Sequence, residues 1–328
     1  LSLVAAVAVA GLTNVNAASL EEAIKGVDVS GKVYVETLSN KNNITKANNT
    51  HTDIDLDLTL KSKVNDNITA VVRVQADQEN AEDTTNSAQN VDADNIYFTY
   101  ANGPLAVNTG KQDINTPTTD GEVGTGVIGT YNLGMATVAA GYIYDHSVKT
   151  VAGSDAKVLA VLGSVGPVNA EAWYVGFSGH SDNYTVALST KLAGISLGAR
   201  HAMSSYDATA TKDGSTTRLD ASAALAGFGL KAMYLTTDKD GAALVTDPSS
   251  ANTYELSQFG SFSQNADADV WAIGASYAMA ATTLAVDYAS GSEDVTDSDA
   301  DELRFRTTYK IHSNGNIFYV WSRKCIRC

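Results

Sequence analysis

Segments of about ten residues with alternating apolar and polar side chains recur along this chain, joined alternately by short and long connections. In residues 53–64, for example, isoleucine and leucine alternate with aspartate, threonine and lysine. Successive side chains of a β-strand point to opposite faces, so each segment predicts a strand with one apolar and one polar face. A tilted strand needs roughly 9–11 residues to cross a bilayer. The repetition therefore predicts an all-β fold, a transmembrane antiparallel β-barrel of the outer-membrane type.

The lengths of the connections predict which end of each strand faces which side of the membrane. Short turns are typical of the periplasmic side of such barrels, and long loops are typical of the extracellular side. The short connections carry glycine, proline, asparagine or aspartate in most cases, at 65–67, 102–104, 133–134, 166–167, 193–194, 226–227, 279–281 and 312–315. The long polar connections lie at 39–51, 79–93, 111–127, 145–156, 177–182, 205–216, 237–268 and 291–301.

The two ends of the chain depart from the strand pattern. Residues 1–17 are apolar and end in Val15-Asn16-Ala17, which predicts the remainder of a secretory signal peptide. One barrel domain is expected over 18–321, with about seventeen strands visible in the sequence. The last of these breaks after Trp321 into a basic tail, 322–328, which we interpret as non-native or truncated. A final strand would then be missing.

Composition narrows the possible partners. The chain has 22 basic and 37 acidic residues, so its net charge is 22 − 37 = −15. This charge argues against nucleic acid as a partner and favours cations. After the first residues, no apolar run reaches the roughly 18 residues needed for a membrane helix. A soluble all-β protein with an aromatic core is the alternative that this composition leaves open.

Three segments resemble one known family. The sequence Leu20-Glu-Glu-Ala-Ile-Lys-Gly-Val-Asp-Val-Ser-Gly31, the segment 110–113 (Gly-Lys-Gln-Asp) and the segment 120–127 (Asp-Gly-Glu-Val-Gly-Thr-Gly-Val) are similar to the Campylobacter-type major outer membrane porins. The resemblance implies an 18-stranded barrel in the complete protein and a homotrimeric general porin in the outer membrane of a Gram-negative bacterium. It also implies passage of ions and small hydrophilic solutes and contact with outer-membrane lipid and lipopolysaccharide.

A channel of this kind needs a constriction, and the third long loop, 111–127, is the candidate. Glycines at 121, 124 and 126 permit the sharp turns of a loop that folds inward. Opposed charges across the opening would set the ion preference. The candidate residues for the two sides of the constriction are the acids Asp113, Asp120 and Glu122 and the bases Arg73, Arg304 and Arg306. The alternative is that these acids are solvated in an external loop and that the arginines form salt bridges.

A second candidate site is a row of carboxylates. Asp53, Asp55 and Asp57 share one face of a strand, where they repel one another unless a cation or a basic neighbour lies among them. Oxygen ligands suit Ca²⁺, so the triplet is a candidate calcium site. The acidic segment 297–302 lacks the spacing of an EF-hand and is better interpreted as a solvated loop.

No catalytic constellation emerges from the sequence. Gly194-Ile-Ser-Leu-Gly198 matches the G-x-S-x-G pattern, but Ser196 opens a predicted strand, whereas a nucleophile elbow leads from a strand into a helix. We therefore expect a non-enzymatic, weakly cation-preferring diffusion pore. The alternative function is a surface adhesin or antigen, in which the loop 237–268 binds a ligand.

Overall fold

The computed structural model describes residues 26–41, 48–80, 90–208, 211–246, 265–293, 298–312 and 315–327. Side chains are described within 26–35, 54–76, 91–208, 211–246, 265–292 and 299–310. The predicted signal segment, 1–17, and most of the loop 237–268 lie outside the described residues. The statements below concern the described residues.

Strands dominate the fold. The described residues form seventeen: β1 Val27–Lys41, β2 Asn48–Lys63, β3 Ile68–Asn80, β4 Asn90–Asn102, β5 Leu105–Asp113, β6 Val123–Asn132, β7 Ala136–His146, β8 Ala156–Val165, β9 Val168–Phe177, β10 Ser181–Leu192, β11 Ile195–Tyr206, β12 Gly214–Leu225, β13 Phe228–Thr237, β14 Ala268–Met279, β15 Thr282–Glu293, β16 Ser298–His312 and β17 Gly315–Arg327. A single 3₁₀ turn, Lys149–Val151, interrupts them within that part of the chain. No helix among these residues combines the length and apolar character needed to cross a membrane.

Consecutive strands pair antiparallel, and the chain divides into two compact units. Unit 1 comprises Leu1–Asp113 and Val123–Gly129, and unit 2 comprises Ile114–Glu122 and Thr130–Cys328. In unit 1, β1 pairs with β2 and the series continues to β5. In unit 2 the series runs from β7 to β17. The sequence predicted one continuous domain; it did not predict this division.

The end of the chain differs from its prediction. The sequence predicted that the last strand stops at Trp321, yet β17 continues to Arg327, which lies opposite Asp299 in β16. Backbone groups form the antiparallel ladder whatever side chains they carry, so a change to basic composition does not end the strand. The count among the described residues is seventeen strands, and the eighteenth implied by the resemblance is not among them.

The alternation of short and long connections is confirmed for most pairs of consecutive strands. Gly103 and Gly166 have φ values of 55° and 59° and each precedes a proline, which is typical of a type II′ hairpin turn. In the turn between β10 and β11, Ala193 and Gly194 have φ values of 50° and 85°, as a type I′ turn requires. Several long connections are shorter than predicted because the strands extend into them. Between β9 and β10, for example, only residues 178–180 remain.

In β10 the two faces of the strand are inverted relative to a soluble protein. In β10, Ser181, Asn183 and Thr185 are each 2% exposed, whereas Val186 and Leu188 are 54% and 50% exposed. A soluble sheet buries its apolar face, because leaving that face in water costs roughly 25 cal/mol per Å². The exposed apolar face is therefore the one that contacts lipid, and the buried polar face is the interior one. This pattern argues against the soluble alternative.

Tyrosine–aspartate pairs recur on the strands that lead into long connections. Tyr142 donates to Asp155, Tyr174 to Asp182, Tyr234 to Asp269 and Tyr288 to Asp301, with oxygen–oxygen distances of 2.6, 2.7, 2.6 and 3.0 Å. In the last three pairs the aspartate lies opposite the residue two positions after the tyrosine. An aromatic ring with a hydrogen-bonded polar end suits a membrane interface. Trp173 differs from these tyrosines, since it donates to Glu171, a residue that pairs with Arg200.

Candidate functional site

Arg73 is the centre of a charged cluster in unit 1. Its Nε lies 3.0 Å from Oδ1 of Asp57, and its Nη1 lies 3.2 Å from Oδ1 of Asp113. Lys32 contributes a third ion pair, with its Nζ 3.0 Å from Oδ2 of Asp57. The side chains of Arg73 and Asp57 are 24% and 13% exposed, so these charges are shielded from bulk water. The structure thus joins two of the predicted constriction residues, Arg73 and Asp113, in one network.

A β-bulge in the pairing of β3 with β4 lies directly beside Arg73. In the pairing of β3 with β4, Arg73 lies opposite Asn95 and Val74 lies opposite Ala93, so Asp94 is an extra residue. Such a bulge bends a strand locally and changes the direction of the neighbouring side chains. Because this bulge depends on tertiary pairing, it was not predictable from the alternation of residue types.

The carboxylate triplet has a basic neighbour, which was one of the two alternatives considered. Asp57 is paired with Lys32 and Arg73, while Asp55 is exposed. The side chain of Asp53 lies outside the described residues. In the part of the chain that the structure describes, no group of three acidic, histidine or cysteine residues is arranged to hold a metal. Calcium binding by the complete triplet stays a prediction.

The third long loop is compact and buried. β5 ends at Asp113 and β6 begins at Val123, so the loop proper is Ile114–Glu122, which belongs to unit 2. The amide of Ile114 donates to the carbonyl of Glu122 (2.8 Å), and the Thr119 hydroxyl donates to the carbonyl of Ile114 (2.6 Å). Ile114 and Thr119 are fully buried. Of the three glycines, only Gly121, with φ of 80°, makes a turn of the loop, while Gly124 and Gly126 lie within β6.

The two predicted acids of this loop differ in their contacts. Glu122 accepts a short hydrogen bond from the Ser147 hydroxyl, which follows β7. Asp120 is half-buried on the same loop. Both carboxylates are therefore held by a folded loop, although no finding tests their role in ion passage.

A second buried segment, 238–246, was missed by sequence reasoning; we call it the strap. The Leu244 amide donates to Oγ of Ser204 (2.7 Å), and the Ala243 amide donates to Oγ1 of Thr216 (3.1 Å). The Thr246 amide donates to the carbonyl of Pro117 (2.9 Å), which connects the strap to the third loop. Ala243 and Val245 pack with Ala202 in a buried cluster. Residues 238–246 show no period or motif, and they were predicted only as the start of a polar loop.

The remaining predicted arginines lie on β16. Arg306 lies 3.7 Å from Oδ2 of Asp287, and Lys231 lies 2.9 Å from Oδ1 of the same carboxylate. Asp287 is 1% exposed, so it is a buried carboxylate held between two cations. Arg304 lies directly opposite Asp287 in the strand register. The six predicted residues thus fall into three groupings: Arg73 with Asp113, Asp120 with Glu122 on the third loop, and Arg304 with Arg306 on β16.

An exposed ion pair involves Asp240, near the start of the strap. Lys212 and Asp240, which both lie in connections between strands, are 2.5 Å apart. The hydrogen bond from Lys212 is the main reason that the pKa of Asp240 lies below its usual 3.8, and the same bond raises the pKa of Lys212. A carboxylate with a lowered pKa stabilises the folded state at neutral pH and loses that contribution as the pH falls through the lowered pKa.

We expect the substitution Lys212→Gln to return the pKa of Asp240 towards 3.8, because it removes both the hydrogen bond and the nearest positive charge. Carboxyl ¹³C NMR titration of labelled protein in detergent micelles would measure this change. Lys239→Gln is the matched control and should give a smaller rise, since Lys239 acts on Asp240 only through its charge. Equal titration curves for wild type and Lys212→Gln would contradict the assignment of the pair.

Exposed apolar side chains on strands such as β10, ionic pairs on the less exposed faces and two buried loop segments are typical of a membrane channel. The family model of the Gram-negative porins matches residues 2–320. The chain therefore belongs to the Gram-negative porins, a family of outer-membrane channel proteins rather than enzymes. Ser196, in agreement, lies within β11 and not at a strand-to-helix turn.

Solved porin structures share the fold at low sequence identity. Pseudomonas aeruginosa OccK9 (OpdG) is 15% identical with a TM-score of 0.73, covering 92% of this chain and 94% of its own. A BenF-like porin from Pseudomonas fluorescens Pf-5 is 16% identical with the same TM-score and the same coverage. Pseudomonas aeruginosa OpdK, solved with vanillate, is 12% identical with a TM-score of 0.71 and covers 92% of both chains. No curated protein sequence matches the chain. The match to the Campylobacter-type porins in particular stays a prediction.

Proposed function

We propose that this porin is a passive diffusion channel for ions and small hydrophilic solutes in the outer membrane. The observation that carries the proposal is that strands with exposed apolar side chains on one face, such as β10, belong to a wall that holds ionic pairs on its less exposed face. Arg200 pairs with Glu171 at 2.8 Å and Arg218 with Asp220 at 2.8 Å, each within unit 2. Charged side chains inside a strand wall are expected where the wall surrounds water, since burying charge without water or a partner is costly.

We also propose a weak preference for cations. The net charge of −15 supports it, as do Asp120 and Glu122, which the compact third loop holds in place. The ion pairs of the strand wall are close to balanced: Arg200, Arg218, Lys231 and Arg306 oppose Glu171, Asp220 and Asp287. When the charges of the strand wall are balanced, the charges of the loops determine whether the channel prefers cations or anions.

Single-channel recording in a planar bilayer tests both proposals. Purified protein should give stepwise, ohmic conductance in KCl, and under a tenfold salt gradient the reversal potential should have the sign of cation preference. Absence of conductance from folded protein would overturn the channel proposal. A reversal potential of the opposite sign would overturn only the cation preference.

The adhesin alternative depends on the loop 237–268. Its first part is engaged inside the protein as the strap, which favours a role in the channel for residues 238–246. Residues 247–264 lie outside the described residues and stay the candidate ligand-binding portion. Deletion of 248–263 should leave conductance intact in a channel, and loss of cell binding without loss of conductance would support the adhesin.

The proposed trimer rests on the resemblance to the Campylobacter-type porins. Chemical crosslinking of protein solubilised in mild detergent would test it, and a single monomer band under conditions that crosslink a known trimeric porin would argue against it. The same preparation would show whether lipopolysaccharide copurifies, as the proposed contact with outer-membrane lipid requires.

A further inference from the structure

A histidine with one unpartnered ring nitrogen lies at the end of β7. His146 is the last residue of that strand, and its Nε2 lies 3.3 Å from Oγ of Ser154, in the connection to β8. Its ring packs edge-on against Phe177 of β9, with the ring centroids 5.3 Å apart. Nδ1 is buried and has no hydrogen-bond partner among the described residues. One polar atom of this ring is therefore unsatisfied inside unit 2.

The hydrogen bonds determine which ring nitrogen carries the hydrogen. The Ser154 hydroxyl donates its only hydrogen to the carbonyl of Val151 (2.7 Å), so it can only accept from the ring. Nε2 of His146 is then the donor, and Nδ1 is the unprotonated nitrogen of a neutral ring. A second proton would have to enter at Nδ1, the atom without a partner.

The connection 147–155, which we call the clasp, is a compact turn. The Val151 amide donates to the carbonyl of Val148, and the Ser154 amide donates to the carbonyl of Val151, both at 3.3 Å. Val148 and Val151 are each 4% exposed, and Ser154 is 6% exposed. His146 therefore bonds to the clasp at one of its buried residues.

Among the described residues, His146 forms no ion pair that would compensate a charge on its ring. Two carboxylates on neighbouring elements are engaged elsewhere: Asp155 accepts a hydrogen bond from Tyr142, and Glu122 accepts one from Ser147. The other titratable groups nearby in sequence or on the packed elements are exposed, namely Tyr144, Asp145, Lys149, Lys157 and His180. A protonated ring would thus be a buried charge without a counterion.

We propose that the clasp is acid-sensitive, and that protonation of His146 releases it. Histidine normally gains its proton within about pH 5–8. In the closed clasp the added proton lies at Nδ1, where a charge and an N–H are buried, and a cation–π contact with Phe177 offsets only part of the cost. In the open clasp, water solvates both. The closed clasp is therefore stable while the ring is neutral and loses stability as the pH falls.

Release of the clasp acts on the third loop through Ser147. The Ser147 hydroxyl donates to Glu122, one of the acids predicted for the constriction. Opening of the clasp breaks this bond and lets the carboxylate change its position. The effect on the current rests on the proposed channel function, whereas the opening itself does not.

Amide exchange of detergent-solubilised protein at about pH 7.5 and about pH 5.5 measures the opening. After correction for the intrinsic pH dependence of exchange, the protection of the Val151 and Ser154 amides should fall at least about tenfold in acid. His146→Gln keeps a donor for Ser154 but cannot be protonated, so its protection should be equal at both pH values. All carboxylates remain in this variant. An acid response that survives in it belongs to one of them and overturns the proposal.

His180→Gln is the matched control, because it removes an exposed histidine from the neighbouring connection between β9 and β10. It should respond to acid like wild type. Loss of the acid response in both variants would mean that His146 is not the responsible group.

Titration of the ring keeps the proposal testable if His146→Gln loosens the clasp at both pH values. ¹⁵N NMR of histidine-labelled protein follows the protonation of each ring, and the signal that is missing from His146→Gln identifies His146. The loss of clasp protection in wild type should have the same midpoint as this titration. Different midpoints overturn the proposal.

Single-channel currents test the link to Glu122. Acid should add sublevels to the wild-type current, and Ser147→Ala, which lacks the hydroxyl bonded to Glu122, should show them at both pH values. Opening of the clasp without a change in current overturns this link alone. If the folded protein does not conduct, the channel proposal fails, and the exchange measurements still decide whether the clasp responds to acid.

Discussion

The substitution Gly214→Ala is expected to release the strap from the strand wall. Gly214 opens β12, and a Cβ added there would lie 2.5 Å from the carbonyl carbon of Gly241 and would also overlap the carbonyl oxygen of Ala242. These are backbone atoms, so the strap itself must move. Movement breaks the bond from the Ser215 amide to the Gly241 carbonyl (3.0 Å) and weakens the following bonds to Thr216 and Ser204. Overpacking of this kind typically costs about 1–3 kcal/mol.

Hydrogen exchange measures that release directly. We expect the amides of Ala243, Leu244 and Thr246 to exchange at least about tenfold faster in Gly214→Ala, since a loss of about 1.4 kcal/mol corresponds to a factor of ten in the opening equilibrium. Single-channel currents should also show additional sublevels, because the strap contacts the third loop through Pro117.

Gly198→Ala is the matched control for this experiment. Gly198 lies on β11, and the nearest atom to an added Cβ is Cβ of Asp220 at 3.7 Å, an ordinary contact distance. The control should exchange like wild type. If the strap amides of Gly214→Ala also exchange at the wild-type rate, the strap is not held as the structure indicates.

The strands and turns were predictable because their signals are local. Two-residue periodicity identifies strand faces, and dipeptides such as Gly166-Pro167 and Ala226-Gly227 identify hairpin turns without any knowledge of partners. The ends of strands were less predictable. Residues such as Ser39–Lys41 are polar and look like loop, but pairing with Asn48–Thr50 extends β1 and β2 through them.

Residues of the functional site were predictable only where a charged side chain was conspicuous within a predicted strand or loop. Arg73 and Asp113 were identified as opposed charges, but their direct pairing across 40 positions of sequence depends on strand order and on the bulge at Arg73. The strap had no such signal, since Gly241-Ala-Ala-Leu-Val-Thr246 is neither charged nor periodic. Its burial follows from hydrogen bonds between its backbone and the hydroxyls of Ser204 and Thr216, which no sequence pattern encodes.

Removal of the Arg73 charge tests the ionic network of unit 1. Arg73→Gln leaves Asp57 paired with Lys32 and removes the bond that joins Asp113 to the network. We expect the reversal potential in a KCl gradient to shift towards stronger cation preference, because one fixed positive charge is lost beside two carboxylates. Asp113→Asn should shift it in the opposite direction. We also expect Arg73→Gln to lower the free energy of unfolding by about 2 kcal/mol, after allowance for screening at the partly exposed Asp113.

The control for Arg73→Gln removes the same charge from an exposed position. Lys63, the last residue of β2, lies 3.8 Å from Asp66 in the following turn, and both side chains are largely exposed. Surface pairs of this kind contribute little and are screened by salt, so Lys63→Gln should change neither selectivity nor stability appreciably. Equal shifts in the two variants would mean that net charge alone sets the ion preference. A shift of the reversal potential confined to Arg73→Gln and Asp113→Asn would place these residues beside the path of the ions. Salt screens distant charges, so only fixed charges close to that path change the ion preference strongly.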